Sequence, residues 1–325
     1  MVGVAVFVAK WSQMRADGSA RIIAGRRRRP ASADFPLFRY SRFAMPRILL
    51  KTEDHSRDSS GMRYVYPVIS RRAGGVSVGI NLNPNNACNW RCIYCQVPDL
   101  KRGGPPPIDL ALLERELDDF LNWVCSGDFM TTRVPEGARQ LVDVAFSGNG
   151  EPTSAAEFPD AVALVERVLA RHGLAGKLIV RLITNGSLLD RKAVQAGIAR
   201  IGRGGGEVWF KLDAGTSAGM ARINGTRARP DVVARRLACC AALAPTWVQT
   251  CVFRMDGAAP AEQELQAWLA LLSPAAPALA GVHLYSLARP SLQKEAPRLG
   301  RLEAGWMEEL ADRVRQLGLT VRVSP

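Results

Sequence analysis

Leu141-Val142-Asp143-Val144-Ala145-Phe146-Ser147 runs directly into Gly148-Asn149-Gly150-Glu151-Pro152-Thr153. A seven-residue run rich in β-branched and aromatic side chains, closed by a glycine-rich turn, reads as a β-strand. Residues 161–172 follow with apolar positions at helical spacing, and Gly173 ends that helix. The same unit recurs on both sides. Upstream, 76–82 reads as a strand, and 108–125 as a helix with Leu110, Leu113, Leu117, Phe120, Leu121 and Val124 on one face. Downstream, strands are expected at 177–183, 207–213, 247–255 and 281–287, with helices near 188–201, 230–243, 261–272 and 304–317. Six strand–helix units in succession predict an α/β fold with a parallel sheet. Right-handed crossovers curl such a sheet into a partial, open (β/α)6 barrel, with its chemistry at the C-terminal strand ends.

The 325 residues, 47% hydrophobic and 22% charged, exclude a disordered or fibrous chain. The longest low-charge stretch, 268–282, is too short to span a bilayer and is broken by Pro274 and Pro277, so no membrane segment is expected. The formal net charge is +13, but residues 1–44 hold nine Lys/Arg against two Asp/Glu, including the arginine run at 26–29. The rest carries 34 basic and 28 acidic residues. Residues 1–44 therefore read as a disordered basic extension, or as sequence upstream of an initiator at Met45. Residues 45–74 read as a lead-in and 75–325 as the core domain.

Three of the seven cysteines crowd into Cys88-Asn89-Trp90-Arg91-Cys92-Ile93-Tyr94-Cys95, just after the first expected strand. Crowded thiols suit metal ligation in a reducing, cytoplasmic compartment better than disulfides. A structural zinc site takes four ligands, usually in paired Cys-x-x-Cys units. No fourth cysteine lies nearby, and His55, His172 and His283 are isolated in the sequence. A three-thiolate set leaves one iron of a four-iron cluster open to a ligand. The other cysteines, Cys125, Cys239, Cys240 and Cys251, follow no ligand spacing, so core packing is expected of them, and the tryptophans at 209, 247, 268 and 306 are expected in the core or at a sheet edge.

The gaps of three and two residues, with Tyr94 just before the last cysteine, resemble the radical SAM superfamily. The turn Gly148-Asn149-Gly150-Glu151-Pro152 is similar to that superfamily's Gly-Glu-Pro element. Thr184-Asn185-Gly186, after the third expected strand, resembles a turn of its activating enzymes. Lys211-Leu212-Asp213-Ala214-Gly215 and residues 283–290 look most like the wybutosine-synthesis group of the superfamily.

The resemblance implies that Cys88, Cys92 and Cys95 hold a [4Fe-4S] cluster. It also implies that S-adenosylmethionine (S-adenosyl-L-methionine) contacts Tyr94, Gly148, Asn149, Gly150, Glu151, Pro152, Thr184, Asn185, Lys211 and Asp213. Alternation puts Lys211 and Asp213 on one strand face and Leu212 on the other. The expected roles are a carboxylate partner for Lys211 and ribose acceptor for Asp213, against a structural Lys–Asp pair. Arg254 and Arg289 either bind an anion or are surface charges. The implied reaction is reductive cleavage of S-adenosylmethionine to a 5′-deoxyadenosyl radical, on an RNA, tRNA or protein substrate. Its implied reductant is a one-electron donor such as flavodoxin or ferredoxin. Two other readings stay open: an activator that installs a glycyl radical on a partner protein, and a non-enzymatic metal-cluster module that binds nucleic acid.

Overall fold

The computed structural model describes residues 49–51, 60–70 and 74–325. The expectations for 1–44 and for Met45 fall outside the described residues. Eight strands form one sheet in the order β1 (Val65–Ser70), β2 (Gly75–Asn81), β3 (Leu141–Ser147), β4 (Ile179–Thr184), β5 (Glu207–Lys211), β6 (Thr246–Cys251), β7 (Gly281–Tyr285) and β8 (Val321–Ser324). β1 runs antiparallel to β2, and every later neighbour pair is parallel. The helices are α1 (Leu110–Ser126), α2 (Phe129–Arg133), α3 (Phe158–Arg171), α4 (Lys192–Arg203), α5 (Ser217–Asn224), α6 (Pro230–Leu243), α7 (Glu262–Leu272) and α8 (Ala304–Arg315). α1, α3, α4, α6, α7 and α8 each carry the chain from one parallel strand to the next. β1 and β8 are the sheet's two ends, so the curl stays open.

Local chemistry explains the helix starts. The Asp109 carboxylate caps α1 by accepting the Leu112 N–H at 2.9 Å, and the Thr216 hydroxyl caps α5 by accepting the Gly219 N–H at 2.9 Å. Pro230 opens α6, where its missing N–H costs nothing. Gly225, at φ +60°, ends α5 in the left-handed conformation that glycine adopts without a Cβ penalty.

Alternation along the strands separates two faces. Val144, Phe146, Leu182, Val208, Phe210, Val248 and Leu284 point into the apolar layer under the helices, meeting Leu117 and Phe120 of α1 and Val165 of α3 in one cluster. Burying each such side chain contributes roughly 1.5–3 kcal/mol, so this layer holds the sheet to its helices. The intervening positions Asp143, Ser147, Arg181, Trp209, Lys211 and Gln249 face a cavity on the concave side.

Several elements differ from the sequence expectation: the strands expected over 207–213 and 281–287 end at Lys211 and Tyr285, and α2 was not expected. The lead-in contributes β1, which periodicity missed because nearly all of it is buried and it contains Pro67. The short elements β8 and α5 were also missed. The strand expected over 247–255 stops at Cys251, where the Val252 N–H turns to the Tyr285 carbonyl at 2.9 Å and Arg254–Met255 pair with Leu299–Gly300 instead. Among the cysteines expected in the core, Cys240 is buried there, but Cys125 is exposed and Cys239 half-buried. Cys251 is buried in the cavity wall.

Candidate functional site

At the C-terminal strand ends, a cavity of about 310 Å³ is lined by Cys88, Cys92 and Cys95 together with Gly148, Gly150, Glu151, Asn185, Lys211 and Tyr94. All three thiols are free and half-buried. Burial pushes the Cys88 thiol up to about 11, partly offset by the Trp90 N–H that points at its sulfur from 3.4 Å. It pushes Cys92 up to about 12, against the pull of the Lys211 ammonium and of the Asn224 amide 3.3 Å from its sulfur. Among the described residues, no three His, Cys, Asp or Glu side chains converge tightly enough to hold a single metal ion.

The cysteine loop is tied down from both sides. The Arg91 and Ile93 N–H groups donate to the Asn224 and Ile223 carbonyls, each at 2.9 Å. The Arg102 guanidinium donates to the Asn89 carbonyl at 2.7 Å and to the Gly225 carbonyl at 2.5 Å. From the chain after β7, the Ser291 hydroxyl donates to the Ile93 carbonyl at 2.7 Å and the Leu292 N–H to the Cys95 carbonyl at 2.9 Å. A small apolar cluster of Ile93, Tyr94, Cys251, Phe253 and Leu287 supports the loop from beneath.

The glycine-rich turn fits against this loop because it has no side chains to obstruct it. A Cβ on Gly150 would lie 2.2 Å from the carbonyl oxygen of Ala87, the residue before Cys88. One on Gly148, at φ +131°, would lie 2.5 Å from Asn81 Oδ1. Asn149 is not among the lining residues, and its amide donates to Asn86 Oδ1 at 2.6 Å. Pro152 is buried at the start of a short 3₁₀ turn.

Glu151 touches the cavity but its carboxylate is engaged elsewhere. Oε1 accepts from the Thr153 N–H (3.1 Å), Thr153 Oγ1 (2.6 Å) and Thr184 Oγ1 (2.6 Å), and Oε2 accepts from the Asn185 N–H (2.6 Å). Burial raises its pKa, and these same hydrogen bonds oppose the shift. Thr184 is thereby fully enclosed and lies off the cavity wall, whereas Asn185 lies on it and donates to Asn89 Oδ1 at 2.9 Å.

Lys211 and Asp213 part company. Lys211 reaches the cavity, with its ammonium 4.9 Å from the Tyr94 ring centroid and 3.4 Å from the Tyr285 hydroxyl. Burial works against its charge, but Tyr285, Asp213, Cys92 and Cys251 together outweigh burial and raise its pKa. Asp213 is not on the wall. It accepts from the Tyr94 hydroxyl at 2.5 Å, the Asn224 amide at 2.7 Å and the Cys251 N–H at 2.9 Å, which makes it a buried junction of three segments. Of the two arginines, Arg289 lines the cavity and Arg254 pairs with Glu303 at 2.9 Å on the surface.

Motif reading missed the inner wall. Asp143 accepts from Ser77 and from Arg181, and Arg181 also pairs with Glu207 at 2.7 Å. Glu207 in turn accepts the Trp209 indole N–H at 2.8 Å, so these buried charges all have partners. His283 packs between the Trp209 and Trp247 rings, at 4.5 and 4.7 Å. Gln249, next to Lys211 and His283 in register, is 2% exposed, and its amide nitrogen has no hydrogen-bond partner among the described residues. Only period-two alternation could have flagged this wall from sequence.

The sequence model of the radical SAM superfamily matches residues 82–255. A radical SAM methyltransferase from Sphaerobacter thermophilus is 13% identical, with 80% of this chain and 68% of that chain covered and a TM-score of 0.46. Streptococcus suis SuiB is 11% identical, with 75% and 47% covered and a TM-score of 0.48. Among curated proteins, the GTPase Obg of Brachyspira hyodysenteriae is 25% identical over 152 residues, which is 46% of this chain and 19% of that protein. This chain therefore spans about a fifth of the curated relative it matches.

Proposed function

This chain belongs to the radical SAM superfamily, and we propose that it is an iron–sulfur enzyme that cleaves S-adenosylmethionine reductively and uses the product radical on a further substrate. The observation that carries the reading is the single cavity into which three free thiols, the Gly148–Glu151 turn and the Lys211 ammonium all open. The donor set fits a cluster better than a lone ion. Three thiols spaced around a cavity suit a [4Fe-4S] group that takes one thiolate at each of three corners, and buried thiolates need a cationic partner. When bound, that group supplies the electron that breaks the sulfonium bond and yields the 5′-deoxyadenosyl radical.

The chain's own residues then have these roles. Cys88, Cys92 and Cys95 ligate. Gly148 and Gly150 let backbone carbonyls approach an ammonium group. Lys211 supplies a positive charge for a carboxylate, and Tyr94 offers a ring wall fixed by Asp213. The paired inner wall around Arg181 closes the cavity on the side away from the cysteine loop and limits water there. Asp213, with its acceptors taken, acts as a positioning residue. The finer likeness to the wybutosine-synthesis group, with an RNA substrate, rests on residues 211–215 and 283–290. A cytoplasmic setting would keep the thiols reduced. No described helix is long and apolar enough to cross a membrane.

Anaerobic reconstitution with iron and sulfide, reduction by dithionite and addition of S-adenosylmethionine tests the reading. The expected product is 5′-deoxyadenosine, absent in Cys92→Ala, with iron content retained in Cys240→Ala. A wild-type chain that takes up no iron–sulfur group would overturn it.

A further inference from the structure

One strand carries two groups on the cavity wall to which the proposed function gives no role. Along β6, Val248 packs into the apolar layer under the helices, while Gln249 and Cys251 both line the cavity. Two residues along a strand span about 7 Å, so the amide and the thiol stand side by side on one wall. Register sets Gln249 against Lys211 and His283, and Cys251 against Tyr285. The Cys251 N–H donates to Asp213 Oδ1 at 2.9 Å and the Tyr94 hydroxyl donates to Oδ2 of the same carboxylate, which fixes this strand end next to Tyr94. Cys251 and Tyr94 meet in one small apolar cluster.

The two side chains have complementary chemistry. Gln249 is 2% exposed, and its amide nitrogen has no hydrogen-bond partner among the described residues. A buried donor left unmade destabilises the fold, and a methionine would fill the same position without that cost. The amide group donates only, so what it selects is an oxygen acceptor on a ligand in the cavity. Cys251 adds a fourth free thiol to the wall, outside the loop that holds the other three. An S–H bond is weaker than an aliphatic C–H bond. A thiol therefore yields a hydrogen atom to a carbon radical, and a hydroxyl in the same place does not.

We propose that the concave face of β6 is a substrate subsite, in which the Gln249 amide donates to a carbonyl oxygen of the substrate and the Cys251 thiol gives a hydrogen atom to carbon radicals formed in the cavity. The inference rests on the proposed function and adds the hydrogen-atom donor and the kind of group held beside it. The substrate it fits carries its carbonyl a few bonds from the reacting carbon, the spacing of two residues on a strand. In the step the S–H bond breaks and a C–H bond forms. The proton and one electron pass together to carbon, and sulfur is left as a thiyl radical. One electron from the one-electron reductant that serves the cluster, and one proton from water, restore the thiol.

The test uses the reconstituted full chain in D2O without added thiols, where Cys251 exchanges to S–D. S-adenosylmethionine and dithionite are added with no further substrate, so the 5′-deoxyadenosyl radical is itself the carbon radical in the cavity. By mass spectrometry, the 5′-deoxyadenosine from the wild type should be heavier by one deuterium. Cys251→Ser keeps the size and a polar hydrogen without the weak bond, and should lose most of that label. Cys240→Ala, altered in the apolar layer, should keep it, and iron per chain should match the wild type in both variants. Unlabelled product from the wild type, equal label in Cys251→Ser, or iron lost with Cys251 overturns the proposal.

Two readouts need no cluster. In the metal-free chain, iodoacetamide should alkylate Cys251 from the cavity well before Cys240, as read by peptide mapping. Equal protection of the two thiols overturns the proposal. Gln249→Met should raise the denaturant midpoint, because it removes a buried donor that lacks an acceptor. A lower midpoint would make the amide a structural tie and overturn the subsite. Failure of dithionite to yield any 5′-deoxyadenosine in the wild type would sink the proposed function, and these two readouts would still decide the wall.

Discussion

Glu151 Oε2 accepts the backbone N–H of Asn185 at 2.6 Å, so a single buried carboxylate ties the loop after β3 to the loop after β4. With Thr184 and Thr153 on Oε1, the Gly-Glu-Pro turn and the Thr-Asn-Gly turn form one unit, and Asn185 passes that order on to Asn89 between two of the cysteines. Glu151→Gln keeps the shape but replaces one acceptor oxygen with an NH2 that faces donors. The expected loss is about 2–3 kcal/mol of unfolding free energy, read as a lower denaturant midpoint at unchanged slope, the cost of leaving buried donors unsatisfied. An unchanged midpoint would mean that the carboxylate is free to serve a ligand instead.

Gly150 answers to steric room at the cysteine loop. Gly150→Ala would push the Ala87 carbonyl, 2.2 Å from the added carbon, and shift Cys88 with it. Reconstituted iron per chain should fall by more than half. Gly137→Ala, whose added carbon meets nothing within 4 Å, should leave iron content as it is. Equal iron in both variants would show that the turn yields to the methyl group.

What the sequence disclosed and what it hid follow from the range of the interactions. Leu141–Ser147 and Pro230–Leu243 were read with their observed bounds because local period and local turn residues define both. The cysteine spacing and the two glycine turns were legible for the same reason. Lys211 was legible from the resemblance at its strand end together with period-two alternation, which put Asp213 on the same face although only Lys211 lines the cavity. Asp213 was legible as a polar residue at a strand end, but its partners Tyr94 and Cys251 lie more than thirty residues away in opposite directions, and no local pattern shows them. Gln249 was invisible because a glutamine within an apolar strand has no motif, and its place on the cavity wall depends on neighbours β5 and β7.

The Asp213 junction can be separated from a direct cofactor contact by a double-mutant cycle in the metal-free chain. Tyr94→Phe removes one donor, Asp213→Asn removes the charge, and each should destabilise the fold. Because the two share the 2.5 Å bond, the double variant should recover about 1–2 kcal/mol relative to additivity. Additive losses would show that the hydroxyl and the carboxylate act independently. In that case Asp213 would be freed for the ribose role that the resemblance implies.

Lys211 tests the cavity's electrostatics most directly. Its half-buried ammonium lies on the cavity wall, where burial opposes its charge and the nearby Asp213 carboxylate favours it. Among the described residues its ammonium has only the Tyr285 hydroxyl as a hydrogen-bond acceptor, at 3.4 Å, so it retains donors for an incoming carboxylate. Lys211→Met preserves the length and apolar stem while removing the charge. S-adenosylmethionine affinity, measured by equilibrium dialysis on the reconstituted chain, should fall about tenfold or more, the scale of a lost charge-assisted hydrogen bond. Iron content should stay within error of wild type, because the lysine ligates nothing. If affinity holds and the denaturant midpoint falls instead, Lys211 serves to balance Asp213 and the tyrosines rather than to bind the cofactor.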